Sequence, residues 1–333
     1  MTRVAVIGGG AWGTTLADLL THKGMATTLW AREAKVVDGI NRRHINTMFL
    51  PRCKLAVELR ATGDLREAVR GAEVVVSAAP SHAVRAVMTE AGKAMASHAL
   101  VISVSKGLEP ERLATMSEVL SDALESGTPI AVVSGPSFAQ EVFKGQPTAV
   151  VAAAETEEIA REAQQIFSTP QFRVYSSTDV IGVELGGALK NVVALAAGIL
   201  EGLGLGYNTR AALITRGLAE ITRLGVACGA SPLTFAGLAG MGDLILTATG
   251  PLSRNRALGE AIGRGQSLAA ALKGKKTVAE GVETARAAAA LGEKRDVELP
   301  IVREVSAVLF AGKPARQAVA DLMERDLKAE QWR

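Results

Sequence analysis

Short apolar runs recur along the first half of the chain, and segments with a helical or polar pattern separate them. Such runs are typical of strands in a parallel sheet that helices cover on both faces. The regular alternation of strand and helix therefore predicts an α/β fold with a doubly wound, mostly parallel sheet. The predicted strands lie at 4–7, 27–30, 73–80, 100–104, 130–133, 148–153 and 172–175.

The pattern changes near residue 178, after which it predicts helices joined by short connections that contain glycine. We expect an N-terminal sheet domain at 1–178 and an all-helical C-terminal domain at 179–333. The longest apolar segment, 180–203, has the length of a membrane span. Glu184, Lys190 and Glu201 interrupt it, and charges are costly in lipid. We therefore predict the central helix of the helical domain and no stable membrane insertion.

A glycine-rich turn follows the first predicted strand directly. Gly8, Gly10 and Gly13 fit the pattern G-x-G-x-x-G. In that pattern the first glycine permits the turn, the second lets the backbone approach a pyrophosphate, and the third lets helix and strand pack closely. The helix that follows aims its N–H groups at the phosphates. Although the pattern also occurs in turns without ligands, its place between a strand and a helix predicts a Rossmann dinucleotide-binding domain.

The second predicted strand ends next to two opposite charges, Arg32 and Glu33. An acidic residue near this point holds the ribose hydroxyls of NAD, while an arginine suits the 2′-phosphate of NADP. Glu33 fits a first-turn helix position equally well, so both NADP and NAD stay open as cofactors. We predict a long connection at 41–51, which is a candidate flap over the cofactor.

Composition narrows the choice of function. A chain of 333 residues with 48% hydrophobic and 21% charged residues predicts a globular protein of two domains. A net charge of +3 is too small to indicate nucleic-acid binding. Two cysteines and four scattered histidines show no disulfide framework or metal-ligand spacing. Because the first strand begins at residue 3 or 4, we expect no signal peptide and a cytoplasmic protein.

Two lysines are candidates for chemistry. Lys106 follows the strand at 100–104, and doubly wound sheets bind ligands at the carboxyl ends of their strands. Lys190 lies within the apolar segment 180–203, where burial would lower its pKa towards the range useful for proton transfer. The alternatives are a solvated loop lysine at 106 and, at 190, a side chain that reaches the surface.

Two polar segments complete the candidate site. Ser253, Arg254 and Asn255 stand at a predicted helix start, where hydroxyl, guanidinium and amide groups suit a phosphate monoester. The alternative is an N-cap serine with solvated neighbours. Asp243 is the one acid in the glycine-rich segment 237–251. Together with the glycine turn, these residues predict hydride transfer between a nicotinamide cofactor and a small phosphorylated alcohol or ketone.

Six motifs in order along the chain resemble bacterial NAD(P)-dependent glycerol-3-phosphate dehydrogenases, and the resemblance covers essentially the whole chain. It implies a Rossmann domain joined to a helical domain, and a homodimer in the cytoplasm. It also implies reversible hydride transfer between NAD(P)H and dihydroxyacetone phosphate, which gives sn-glycerol 3-phosphate for phospholipid synthesis. The motifs lie at 8–14, 105–107, 134–139, 187–192, 240–244 and 253–255.

The resemblance also implies roles for individual residues. Lys190 resembles the proton donor and acceptor, with Lys106 and Asp243 beside it in the catalytic site. The positions that match substrate contacts are Lys106, Gly135, Ser137, Lys190, Asp243, Ser253, Arg254 and Asn255. Beside the glycine turn, the positions that match cofactor contacts are Ala11, Trp12, Arg32, Lys106, Ala139, Arg254, Val278 and Glu280.

Two other functions stay open on the sequence. A related β-hydroxyacid dehydrogenase would act on a carboxylate, and the segment 253–255 is the feature that argues against it. A cofactor-sensing protein without catalysis would need the glycine turn but would have no use for Lys106, Lys190 and Asp243.

Overall fold

The structure is a computed structural model that describes residues 1–274, 280–327, 329 and 330. Its strands alternate with helices up to residue 177, as the pattern predicts. The strands are β1 (Arg3–Ile7), β2 (Ala26–Trp30), β3 (Ile45–Asn46), β4 (Leu50–Lys54), β5 (Arg60–Thr62), β6 (Val74–Ser77), β7 (Leu100–Ser103), β8 (Ile130–Ser134), β9 (Thr148–Ala154) and β10 (Phe172–Ser177).

The helices of this first region follow the strands and cover both faces of the sheet. They are α1 (Ala11–His22), α2 (Ala34–Arg43), α3 (Leu65–Val69), α4 (Val84–Gly92), α5 (Met116–Ala123), α6 (Ala139–Phe143) and α7 (Glu157–Phe167).

Helices alone make up the regular structure of the described residues beyond 177. They are α8 (Val180–Gly202), α9 (Tyr207–Ala227), α10 (Pro232–Ala236), a π-helical turn (Leu238–Gly242), α11 (Asp243–Thr249), α12 (Arg254–Gly263), α13 (Leu268–Leu272), α14 (Glu280–Lys294), α15 (Pro300–Phe310) and α16 (Ala315–Met323).

The large sheet confirms the predicted doubly wound fold. Its strand order is β10-β9-β8-β7-β6-β1-β2-β5, and every neighbouring pair is parallel except β8 and β9. The chain leaves β1 towards β2 on one side and later returns to β6 on the other. Doubly wound sheets bind ligands where the strand order reverses in this way. Here that point lies at the carboxyl end of β1, where the glycine turn begins.

Strand β1 is apolar from Val4 to Ile7 because both of its faces are buried there. Val4 and Val6 pack into the core on one side of the sheet, while Ala5 and Ile7 pack into the core on the other. A strand covered in this way has no polar face, which is why the sequence shows continuous apolar runs instead of alternation.

The expected long connection at 41–51 is wrong. Helix α2 continues to Arg43, and β3 pairs with β4 as an antiparallel hairpin. Buried Asn46 holds this hairpin against the glycine turn, since its amide donates to the carbonyl oxygen of Gly9 and to Oγ1 of Thr14, each at 2.8 Å. Its Oδ1 accepts from the backbone N–H of Phe49 at 3.1 Å. A buried amide organises this segment, so it carries little apolar pattern to recognise.

Helix α8 is the centre of the helical region, which confirms the prediction of a central helix at 180–203. By length and composition, it alone among the described helices could cross a membrane. However, 89% of its most apolar 18-residue stretch is buried inside the protein. Asp179 caps its first turn by accepting from the backbone N–H of Gly182 at 2.9 Å.

Helices α8 and α12 touch through their backbones. A Cβ atom added at Gly198 would lie 2.0 Å from the carbonyl oxygen of Arg256, and one at Gly259 would lie 2.1 Å from that of Leu195. Gly202 and Gly263 make the same kind of contact one turn further along. Only glycine permits so close an approach, so these residues set the spacing of the two helices.

Replacement of Gly259 by Ala tests this packing. We expect the free energy of unfolding to fall by about 1–3 kcal/mol because the methyl group overpacks the contact. This loss occurs although alanine is favoured over glycine within a helix by about 1 kcal/mol.

Chemical denaturation measures the difference, with Gly206→Ala as the matched control. No described atom lies within 4 Å of a Cβ at Gly206, so that change should cost only the lower N-cap preference of alanine at the start of α9, about 0.5 kcal/mol. Equal effects of the two substitutions would contradict the packing role of Gly259.

Candidate active site

Of the three glycines in the G-x-G-x-x-G pattern, two are required by the protein's own packing and the third is not. Gly8 has a φ of +131°, and a Cβ there would lie 2.6 Å from the carbonyl oxygen of Ala78. A Cβ at Gly13 would lie 2.1 Å from the carbonyl oxygen of Gly8. At Gly10 the space is open, with no described atom within 4 Å of a Cβ position. A ligand phosphate can therefore approach the backbone at Gly10.

The start of α1 beside Gly10 has further groups that fit a dinucleotide. No side chain of the described residues caps this helix, so the N–H groups of its first turn are available to an anion. The indole Nε1 of Trp12 is buried without a hydrogen-bond partner in the described chain. Ala139 at the start of α6 lies alongside, since its carbonyl oxygen accepts from Oγ1 of Thr15 at 3.2 Å.

Arg32 and Glu33 form an ion pair just beyond β2, with Arg32 Nη2 and Glu33 Oε1 3.3 Å apart. The Arg32 side chain is 84% exposed. Glu33 precedes α2 and does not cap it through its side chain. The more exposed arginine can reach a phosphate at the strand end on leaving its contact with Glu33, whose side chain is 29% exposed.

Lys106, Lys190 and Asp243 meet in one buried cluster. Nζ of Lys106 lies 2.7 Å from Oδ2 of Asp243 and 2.8 Å from the carbonyl oxygen of Gly135. Nζ of Lys190 donates to the other carboxylate oxygen of Asp243. The Lys190 side chain is only 7% exposed and that of Asp243 only 1%, so Lys190 does not reach the surface.

The charges of this cluster prepare Lys190 for proton transfer. Burial lowers the pKa of Lys190 to about 7, the positive charge of Lys106 also lowers it, and the carboxylate of Asp243 raises it. A lysine side chain with a pKa near neutrality can give a proton as the ammonium and accept one as the amine at cellular pH.

Backbone contacts explain how these distant residues come together. Lys106 follows β7 and Gly135 follows β8, so both lie at the carboxyl edge of the sheet. Helix α8 reaches this edge because it carries glycines there. A Cβ at Gly187 would lie 2.4 Å from Oγ of Ser134, and one at Gly186 would lie 2.6 Å from the carbonyl oxygen of Ala239.

The segment 253–255 begins α12, as predicted, but its side chains differ in what they can do. Ser253 caps the helix by accepting from the backbone N–H of Arg256 at 3.2 Å, which agrees with its reading as an N-cap. Arg254 is exposed at the helix start. The amide of Asn255 is engaged on both sides, donating to Asn191 Oδ1 at 2.9 Å and accepting from the N–H of Gly281 at 3.1 Å. Asn255 thus links α8, α12 and α14.

The remaining predicted positions surround the lysine cluster. Oγ of Ser137 donates to the carbonyl oxygen of Gly135 at 2.9 Å. Glu280 begins α14, where burial raises the pKa of its carboxyl and the positive charges of Arg254, Lys106 and Lys190 oppose that rise. Val278 lies outside the described residues.

Thr247 belongs to the cluster, although no role was predicted for it from the sequence. Its Oγ1 donates to the carbonyl oxygen of Asp243 at 2.7 Å and accepts from Nζ of Lys190 at 3.0 Å. The available signal was its position four residues after Asp243, which places both side chains on one face of α11. Thr247 therefore orients the lysine ammonium.

Known proteins that are similar to this chain fit the function that the geometry of the site indicates. Family models described as the N-terminus and the C-terminus of NAD-dependent glycerol-3-phosphate dehydrogenase match residues 3–160 and 179–320. The chain belongs to this family. As an NAD-dependent glycerol-3-phosphate dehydrogenase by family, it is an NAD(P)-dependent oxidoreductase, which confirms the resemblance in the sequence motifs.

Individual glycerol-3-phosphate dehydrogenases are similar along their whole length. One from Geobacter sp. strain M21, named as the NAD(P)+ type, is 54% identical over 330 residues, or 98% of each chain. The crystal structure of the Coxiella burnetii enzyme is 37% identical, with a TM-score of 0.93 over 97% of this chain and 99% of that one. The Saccharomyces cerevisiae enzyme is 27% identical, with a TM-score of 0.81 over 97% and 99%.

Replacement of Asp243 by Asn tests the electrostatic control of Lys190. A proton donor must be protonated, so the rate of NADPH-dependent reduction should fall as pH rises through the pKa of Lys190, about 7 in the native protein. Loss of the Asp243 negative charge removes the interaction that raises this pKa. The descending limb should therefore move to lower pH.

The measurement is kcat/KM for reduction as a function of pH, with Asp38→Asn on the exposed face of α2 as the control. A descending limb that stays in place or moves to higher pH would contradict the assignment.

Proposed function

We propose that this protein reduces dihydroxyacetone phosphate reversibly to sn-glycerol 3-phosphate, with Lys190 as the proton donor and acceptor. One observation carries the proposal. Lys190 and Lys106 share the buried carboxylate of Asp243 at the carboxyl edge of a dinucleotide-binding sheet. This arrangement provides a proton of suitable pKa beside the place where the sheet presents its cofactor.

Each residue of the cluster has a different role in the reaction. A bound nicotinamide cofactor supplies the hydride that C2 of the substrate accepts. Lys190 then gives its proton to the C2 oxygen, and it takes that proton back in the oxidation direction. Thr247 and Asp243 hold the Lys190 ammonium in place, while Lys106 adds a positive charge that stabilises the developing oxyanion.

The first turn of α12 supports recognition of the phosphate. The exposed guanidinium of Arg254 and the positive end of the helix favour a dianion. Ser253 and Asn255 hold the turn, and Gly135 and Ser137 border the substrate from the β8 side. A phosphate dianion gains more from this positive site than a singly charged carboxylate does, which favours a phosphorylated ketone.

The cofactor, in this proposal, binds across the glycine turn. Its pyrophosphate faces Gly8, Gly10 and Gly13 at the start of α1. The other proposed contacts are Ala11, Trp12, Arg32, Lys106, Ala139, Arg254, Val278 and Glu280.

We further propose that residues 1–178 form the cofactor domain and residues 179–333 the substrate domain. The family resemblance supports a cytoplasmic homodimer that supplies glycerol 3-phosphate for phospholipid synthesis. Cys53 and Cys228 are both free thiols, as expected in a reducing compartment. We propose no nucleic-acid partner and no stable membrane insertion.

A substrate panel tests the proposed reaction. Oxidation of NADPH, followed by its absorbance, should be fast with dihydroxyacetone phosphate and slow with unphosphorylated dihydroxyacetone or a 2-oxo carboxylate. Lys190→Met should lower turnover by about a hundredfold to ten-thousandfold because the proton donor is lost.

NADPH binding to Lys190→Met, measured by fluorescence titration, should stay within twofold of the native value. Fast turnover of the carboxylate would replace the proposed substrate, and native turnover in Lys190→Met would remove Lys190 from its role.

Arg32→Ala tests how the cofactor is selected. If the exposed Arg32 guanidinium contacts the 2′-phosphate, KM should rise for NADPH and change little for NADH. Arg42→Ala is the matched control, because Arg42 is also exposed, at 81%, and pairs with Asp38 on the nearby α2. Equal losses with both cofactors would refute this role.

A further inference from the structure

Arg256 connects three parts of the helical region that the proposed substrate site depends on. Its Nη1 pairs with Oε2 of Glu201 near the end of α8. Its Nε donates to the carbonyl oxygen of Gly250 at 3.2 Å, and Gly250 ends α11. The Arg256 side chain is only 13% exposed. One guanidinium therefore joins α8, α11 and α12.

The backbone of Arg256 lies at the closest approach of α8 and α12. Its carbonyl oxygen would be 2.0 Å from a Cβ at Gly198, and its N–H donates to the capping Oγ of Ser253. The carbonyl oxygen of Gly250 accepts from the N–H of Ser253 at 3.2 Å as well. The turn that leads into α12 is thus held at both ends by contacts of this one residue.

The carboxylate of Glu201 is in an electrostatically unfavourable position within its own helix. A carboxylate in the last turn of α8 faces the negative end of the helix dipole. Arg256 compensates for this, since its hydrogen bond lowers the pKa of Glu201 and keeps the carboxylate charged. Arg210 adds a second, longer contact, with Nη2 3.4 Å from Oε2 of Glu201. The charge of Glu201 therefore serves the contact between helices and not α8 alone.

We propose that Arg256 and Glu201 are positioning residues for the substrate phosphate. They hold the first turn of α12, with Ser253 and Arg254, at a set distance from the ammonium of Lys190 on α8. Neither residue contacts the substrate itself. The inference rests on the proposed function, since the distance matters only if one molecule reaches from Lys190 to the start of α12.

Arg256→Met tests the positioning role, and Arg264→Met is its matched control. Arg264 is the C-cap residue of α12 and pairs with Glu260, but its side chain is 66% exposed. Arg256→Met should raise KM for dihydroxyacetone phosphate by about tenfold to a hundredfold because the phosphate site is displaced. The KM for NADPH should stay within twofold, and Arg264→Met should match the native protein in both values.

Two further variants keep the test decisive if Arg256→Met folds poorly. Glu201→Gln changes the partner on α8 and should shift KM in the same direction. Arg256→Lys keeps the charge but lacks the planar guanidinium whose separate nitrogens contact Glu201 and Gly250, so its KM should be intermediate. The effects of Glu201→Gln and Arg256→Met should be non-additive in the double variant, because the two residues act as one unit.

Binding of glycerol 3-phosphate to the NADPH complex, measured by calorimetry, gives a readout without turnover, since both partners are already reduced. Its affinity should fall in Arg256→Met and not in Arg264→Met. A lowered melting temperature with native KM and affinity would overturn the positioning role alone. If the native chain neither binds glycerol 3-phosphate nor reduces dihydroxyacetone phosphate, the proposed function and this inference both fall.

Discussion

The sharing of one carboxylate by two lysines is the constraint on which the rest of the site depends. A buried ammonium group is costly unless a charged partner and hydrogen bonds hold it. Asp243 supplies one oxygen to Lys106 and the other to Lys190, so the cluster has one net positive charge whenever Lys190 is protonated. That residual charge suits a site that must receive an anionic substrate and stabilise negative charge on oxygen.

The cluster can form only because helix α8 lies against both the sheet and the other helices. Glycines at its beginning let it approach β8 and the π-helical turn, and glycines at its end let it touch α12. Lys190 stands between these two contact regions. Helix α8 therefore determines the distance of the Lys190 ammonium from the sheet and from the start of α12. A well-packed interior transmits small displacements, so the two regions of contact are coupled.

Much of this arrangement could be predicted from the sequence. The strand pattern indicated the sheet, and an isolated lysine in an apolar helix indicated a buried amine. The motifs that resemble a known family brought Lys106 and Asp243 to the same site. The sequence did not show that Asp243 would bridge both lysines, because the three residues are far apart along the chain. Thr247 was missed since a threonine on a helix is ordinary until its neighbours are known.

Buried polar side chains organise parts of the structure that no apolar pattern predicts. The amide of Asn255, a residue predicted at the anion site, also joins three helices. The hairpin of β3 and β4 was predicted as a connection because one buried amide, Asn46, does the work that apolar contacts do elsewhere.

Asn46 also has a consequence for how a ligand is received. Its bond to the carbonyl oxygen of Gly9 holds the glycine turn in order in the free protein, so the loss of chain entropy occurs during folding. A preorganised loop loses little further freedom when a molecule binds, and more of the contact energy remains as affinity. The dinucleotide therefore binds to a glycine turn that is already ordered, and the turn does not have to fold on binding.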